Sequence, residues 1–299
     1  MSTRPNQLTL TLLIIVFSFT IALFAPYTMT TRPSTKSAWA DHPCALVPTP
    51  QYTTNKTDLW TTGATHMAHI HNAILRGYNT IYQQAPHVKP EDRAAFVGYA
   101  LTWHRFVTSH HDDEEGELFP AVAGVLGAGV EEVWGATHAE HEAFLGGLGE
   151  YAAYLNGLTS AMEFDGGKLC AVMDTFKEPF EAHFHSEIRT IASFGGLANA
   201  PPPGSEEEKQ AADIFKAWGK KTVMKAGTTD VVPFFLMNLD ATYEDGKWAG
   251  WPPMPAPIRW GLVNIAGSWN GAWWKFASCD SRGAPKELYA LGKKELEGL

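Results

Sequence analysis

Four separate stretches of this chain repeat apolar residues at steps of three and four, and each carries a histidine in the middle of the stripe. The first reads Met67, His71, Leu75, Tyr78, Tyr82, and the second Trp103, Val107, His110, Glu114, Leu118. The third reads Trp134, His138, His141, Leu145, Leu148, and the fourth Phe176, Phe180, His183, Glu187, Ile191, Phe194. A repeat near 3.6 residues demands helices. Proline and glycine set their ends: Leu59–Gln84 stops before Pro86, and the second runs from after Pro90 to about Phe119, before Pro120. Glu91 and Asp92 suit the positive start of that second helix. The third covers Val130–Leu158 and the fourth Gly167–Phe194, with a kink expected at Pro179 and Gly195-Gly196 as the stop. Short connections make neighbours antiparallel, so the expected class is all-α, an up-down-up-down four-helix bundle over residues 55–197.

One histidine on an apolar face is ordinarily a core residue with a hydrogen-bond partner, and one His-x-x-x-Glu pair is ordinarily a surface contact. Four helices that all aim imidazole inward, with two carboxylates, are different. Burying such groups unpartnered costs several kcal/mol for each charge. A metal removes that cost. Mixed imidazole and carboxylate donors without cysteine suit iron, manganese or zinc and disfavour copper(I) and iron–sulfur clusters. Six donors exceed one ion's needs. With both glutamates bridging, two ions would receive roughly eight of about twelve bonds, leaving about four positions for water or O2. Structural zinc sites are closed, so this openness points to reactivity. The expected ligands are His71, His110, Glu114, His141, His183 and Glu187. His111 and Glu115 repeat the His-x-x-x-Glu spacing one residue later, but Trp103 and Leu118 share the stripe of His110 and Glu114. His138, one turn before His141, is a candidate seventh ligand. His66, His69, His104 and His185 are expected at the surface or as partners of ligands.

The segments HIHNAILRGYNTIYQQAPHV, TWHRFVTSHHDDEEGELFP, THAEHEAF and HFHSEI carry these residues, and together they resemble the hemerythrin-like, or HHE cation-binding, proteins. GKWAGWPPMP and WWKFASCD extend the resemblance to fungal members with a C-terminal extension, over residues 59–285. The resemblance implies a non-heme diiron centre at the six expected ligands, with manganese or zinc as lesser choices and O2 as a ligand. Oxygen-carrying hemerythrins pair two histidines in the third helix at a spacing of four, whereas His138 and His141 are three apart. The implied activity is O2-dependent oxidation of a small organic substrate, by analogy one of secondary metabolism. The alternative is an O2-, NO- or iron-binding protein without turnover.

Beyond the boundary at Ala200-Pro201-Pro202-Pro203-Gly204, residues 198–299 are expected to form an extension with a helix over Glu206–Lys225 and a loop over Gly246–Pro257. Six of the 11 tryptophans lie between 248 and 274. They are expected to cap the helices, or else to wall a substrate pocket or touch a membrane. At the other end, Leu8–Ala25 is an uncharged apolar run, long enough for a membrane anchor or a cleaved signal. Either directs the chain to the secretory pathway, membrane-anchored or secreted, with residues 1–40 as leader and 41–57 as linker. The sequon Asn55-Lys56-Thr57 agrees with a lumenal body. Among three cysteines, Cys44 and Cys279 are the expected pair, with Cys170 left in an apolar stretch. A net charge of −9 without basic clusters excludes nucleic acid as a partner. Nothing in the sequence sets an oligomeric state.

Overall fold

The computed structural model describes residues 39–292. Among them the chain is helical, with no strand and one isolated bridge between Cys279 and Pro285. Helix α1 spans Pro50–Thr54 and α2 Leu59–Gln84. The Asp58 side chain starts α2 by accepting from the Thr61 backbone N–H at 3.0 Å. Helix α3 covers Arg93–Asp113, passes into a π-helical turn at Glu114–Leu118, and continues as α4, Phe119–Leu126. Gly127, at φ 63°, closes α4 in the left-handed region that favours glycine. Helix α5 is Val130–Asn156, and α6 is Gly166–Ser193, capped by Asp165 and unbroken at Pro179. Then follow α7, Glu206–Ala226, α8, Val231–Leu236, and α9, Ala256–Gly261.

Helix α2 packs on α3 and α6, and α5 packs on the same two, so these four helices close a ring. Helices α7 and α8 lie outside it, against α2 and α3. The extension shares the ring's core: a single buried cluster runs from Cys44 through Trp103 and Phe180 to Phe234 and Phe276. Of the tryptophans in the extension, Trp274 is buried, whereas Trp269 is exposed.

Four expectations need correction. The second helix does not end before Pro120. The π turn shifts the helical phase, and Pro120 then falls in the first turn of α4, where a missing N–H is tolerated. Residues 41–57 are not a free linker. Buried Asn79 accepts from the Cys44 N–H at 2.9 Å and donates to the carbonyls of Ala40 and Cys44 at 3.0 and 2.8 Å. Asn72 does the same for Val47, at 2.7 and 2.9 Å. Two side-chain amides on α2 thus satisfy an irregular backbone that would otherwise be buried without partners. Cys44 and Cys279 are free thiols: Cys44 packs in the main core, Cys279 against Trp39 and Ala40. The inner stripe of α5 runs through Trp134, Thr137, His141, Phe144, Leu148, Tyr151 and Leu155, while Leu145 is exposed. Phe144 and Leu145 sit about 100° apart on the helix, and the ring faces inward.

The apolar run Leu8–Ala25 lies outside the described residues. Among those described, no helix is long and apolar enough to cross a membrane. Asn55 is exposed, in the turn that ends α1.

Candidate metal centre

The four inward stripes meet where the sequence places their histidines. His71 from α2, His110 from α3, His141 from α5, His183 and Glu187 from α6, and Glu114 at the head of the π turn are all 2% exposed or less. Imidazole centroids stand 5.3 Å apart for His71 and His110, 4.4 Å for His141 and His183, and 6.0 Å for His71 and His183.

The carboxylates lie between imidazoles of different helices. Glu187 Oε2 is 3.3 Å from His71 Nε2 and 3.6 Å from His183 Nε2. Glu114 Oε1 is 3.1 Å from His110 Nε2, and its Oε2 is 3.8 Å from His141 Nε2. Two groups contain donor atoms mutually within 4.8 Å that use only the expected ligands: His71 with His110 and Glu114, and His71 with His183 and Glu187.

Outer partners fix which nitrogen faces the centre. His71 Nδ1 donates to the Phe184 carbonyl at 3.1 Å, His141 Nδ1 to Glu115 at 2.7 Å, and His183 Nδ1 reaches Glu140 at 3.4 Å. In all three the Nε2 atom is left pointing inward, the arrangement that orients metal-bound histidines. Those Nε2 atoms, both nitrogens of His110 and all four oxygens of Glu114 and Glu187 have no hydrogen-bond partner. Buried polar atoms are nearly always partnered, so this concentration of lone pairs is an unmet demand.

Electrostatics agree. Burial, and secondarily the neighbouring imidazoles, hold His110 and His183 well below the usual histidine pKa, so both rings are neutral. Burial, then the nearby Glu187, pushes Glu114 well above the usual carboxylate range. A divalent cation reverses the second effect and uses the first, since it ligates neutral imidazole and ionised carboxylate. The residues therefore fit a metal centre on their own chemistry.

The remaining histidines separate clearly. His138 is about half exposed and hydrogen-bonds Glu115 at 3.1 Å, which raises its pKa. It belongs to none of the donor groups found among the described residues. His66 is exposed. His69 is buried between Trp248 and Trp251, with centroids 4.8 and 4.5 Å away. His104 stacks on Tyr151, and His185 donates to the Ala45 carbonyl at 3.0 Å. The pair His111 and Glu115 splits: Glu115 bonds His138 and His141, whereas His111 is 4% exposed and groups with His141 and His183. Spacing could not find this, because neighbouring helical residues lie about 100° apart and both can border a wide interior. The adjacent pair His110-His111 was the available signal.

Trp248 and Trp251 close a narrow cavity with His69, Arg76 and Tyr243. His69 and Arg76, seven residues apart, share a face of α2, while His71 lies about 200° around from His69. The cavity is therefore on the side of α2 turned away from the histidine centre.

Residues 62–194 match the Hemerythrin HHE cation binding domain family, and all six expected ligands fall within that span. A relative from Cryptosporiopsis sp. (strain 8999), the dimeric xanthone biosynthesis cluster protein R11, is 27% identical over 236 residues, 78% of this chain and 84% of that one. No solved structure matches. With the histidine–glutamate geometry and this match in agreement, residues 62–194 of the chain are similar to the hemerythrin HHE cation-binding domain.

Proposed function

We propose that residues 55–197 form an up-down-up-down four-helix bundle that holds two non-heme irons through His71, His110, Glu114, His141, His183 and Glu187, and that this centre binds and activates O2 to oxidise a small organic substrate. The observation that carries the reading is the placement of Glu114 and Glu187, each within 4 Å of imidazoles from two helices and each without a hydrogen bond. Such carboxylates suit a bridge between two cations. When bound, the irons supply Lewis acidity and the electrons for reducing O2. The chain supplies the surroundings. Phe184 lies 4.5 Å from the His71 ring, Trp218 5.6 Å from His110, and Phe119 stacks on His141 at 5.8 Å. These rings exclude water and keep the local dielectric low, which strengthens every charge interaction inside. Glu115, Glu140 and the Phe184 carbonyl hold three imidazoles in the ligating orientation.

The R11 relative's name ties it to dimeric xanthone biosynthesis. By that analogy the substrate here is a small aromatic secondary metabolite; the apolar run at residues 8–25 supports work in the secretory pathway, anchored or released according to its fate. The test is anaerobic loading with Fe(II), iron analysis, and O2 exposure with and without hydroxylated polyketide aromatics. About two irons per chain and O2 consumption accelerated by such a compound support oxidation. Full recovery of O2 under argon, with no net consumption, assigns the protein to carriage or sensing instead. A single stoichiometric zinc refutes the diiron centre.

A further inference from the structure

We infer that His111 is an additional metal ligand, from an adjacent position on the helix that supplies His110, and that it makes the two ions unequal. The assignment rests on the two-iron reading above. One ion is held by His111, His141 and His183, the other by His71 and His110, with Glu114 and Glu187 between them.

His111 is 4% exposed; the Val107 carbonyl one turn back is an acceptor within reach of its ring, and no other hydrogen-bond partner meets either ring nitrogen. Its ring centroid is 4.5 Å from His141 and 5.2 Å from His183, and one nitrogen lies within 4.8 Å of donor atoms of both. A core histidine serving only to fill space would pack against Phe144 and Phe184, as this one does at 5.1 and 5.8 Å, but would not also bring a ring nitrogen in among the unpartnered Nε2 atoms of His141 and His183. Leucine or phenylalanine would fill the same volume without burying a ring nitrogen's lone pair. The helix explains how two successive residues serve one centre. Their side chains diverge by about 100°, so His110 turns toward His71 and His111 toward His141. Glu115, which continues the His111 register, cannot ligate as well, because it is the acceptor that orients His141.

The consequence is an asymmetry in open positions. Three imidazoles and an oxygen from each glutamate give one ion about five protein bonds, against about four for its neighbour.

The test uses the full chain loaded with Fe(II) without oxygen. Wild-type protein should take up two irons and His111→Ala one, and millimolar imidazole should restore the second by filling the vacated volume. His138→Ala, outside the centre, should keep both. The proton NMR spectrum of the wild-type ferrous protein gives a second readout that needs no variant: it should show five iron-shifted imidazole N–H signals. Two irons retained by folded His111→Ala, or four shifted signals in the wild type, overturns the assignment while leaving the two-iron reading intact. Fewer than two irons in the wild type removes that reading and the assignment with it.

Discussion

Replacing Glu187 with methionine should stabilise the metal-free protein and destabilise the loaded one. Glu187 is fully buried, and neither oxygen accepts a hydrogen bond. Leaving such a group unsatisfied costs roughly 1–3 kcal/mol, and a methionine of similar volume removes the cost without opening a cavity. In chelator the variant should therefore gain about 2 kcal/mol. Unfolding entropy of about 2.1 cal/mol/K for each of roughly 250 described residues converts this to a rise in Tm of about 4 °C. With metal the sign changes. Each ion at a hundred times its Kd adds about 2.7 kcal/mol, so two add about 5 kcal/mol to the wild type. If the variant binds neither ion, it lies about 3 kcal/mol, or some 6 °C, below loaded wild type. Scanning calorimetry in EDTA and in excess Fe(II) under argon gives both comparisons. A variant less stable than wild type in both conditions would refute the claim that the glutamate oxygens are an unmet demand of the metal-free fold.

Two further predictions concern the scaffold. Lys275, together with the Tyr289 hydroxyl at 3.1 Å, holds Asp92 below the usual carboxylate range. A depressed carboxylate stabilises above its unfolded pKa of about 3.9 and loses that contribution as the pH falls through its lower folded value. Asp92→Asn should cost about 1 kcal/mol at pH 7 and progressively less as the pH falls below about 3.9, measured by urea unfolding across that window. At Gly166 an added Cβ would lie 1.9 Å from the Ala85 carbonyl oxygen, so Gly166→Ala should destabilise by about 3 kcal/mol in urea melts. Gly146→Ala, with nothing within 4 Å, should be neutral or stabilising by up to about 1 kcal/mol in the same assay.

The inward faces of α2, α3 and α6 were legible because their repeats are clean: on each, residues four apart pair an apolar side chain with a histidine or glutamate, and all are buried but Tyr82. The face of α5 was misjudged by one residue at two places, His138 and Leu145, where Thr137 and Phe144 face inward, because glycine and alanine dilute its pattern and leave two candidate phases. The π turn at Glu114–Leu118 left no mark, since one extra residue in a helical turn changes no residue type. His111 was hidden for a related reason: spacing ranks faces, and a centre among four helices is wide enough to be reached from two. Asn72 and Asn79 looked like ordinary polar positions on a helix, yet they pin the segment before α1. That contact joins residues far apart in the chain, which no local pattern encodes.

The outer helices have a practical bearing on how the protein can be cut. Phe234 packs on Tyr99 at 4.8 Å, Trp218 donates to the Asp113 carbonyl at 3.3 Å, and Gln84 reaches the Phe276 carbonyl at 2.9 Å. A fragment trimmed to residues 62–194 would present Tyr99 and Phe106 to solvent as one greasy flank, bare of the chain end that sheathes it. The segment that matches the cation-binding family is thus a unit of resemblance and not of solubility, and its histidine-lined interior depends on a wrapping contributed by the last third of the chain.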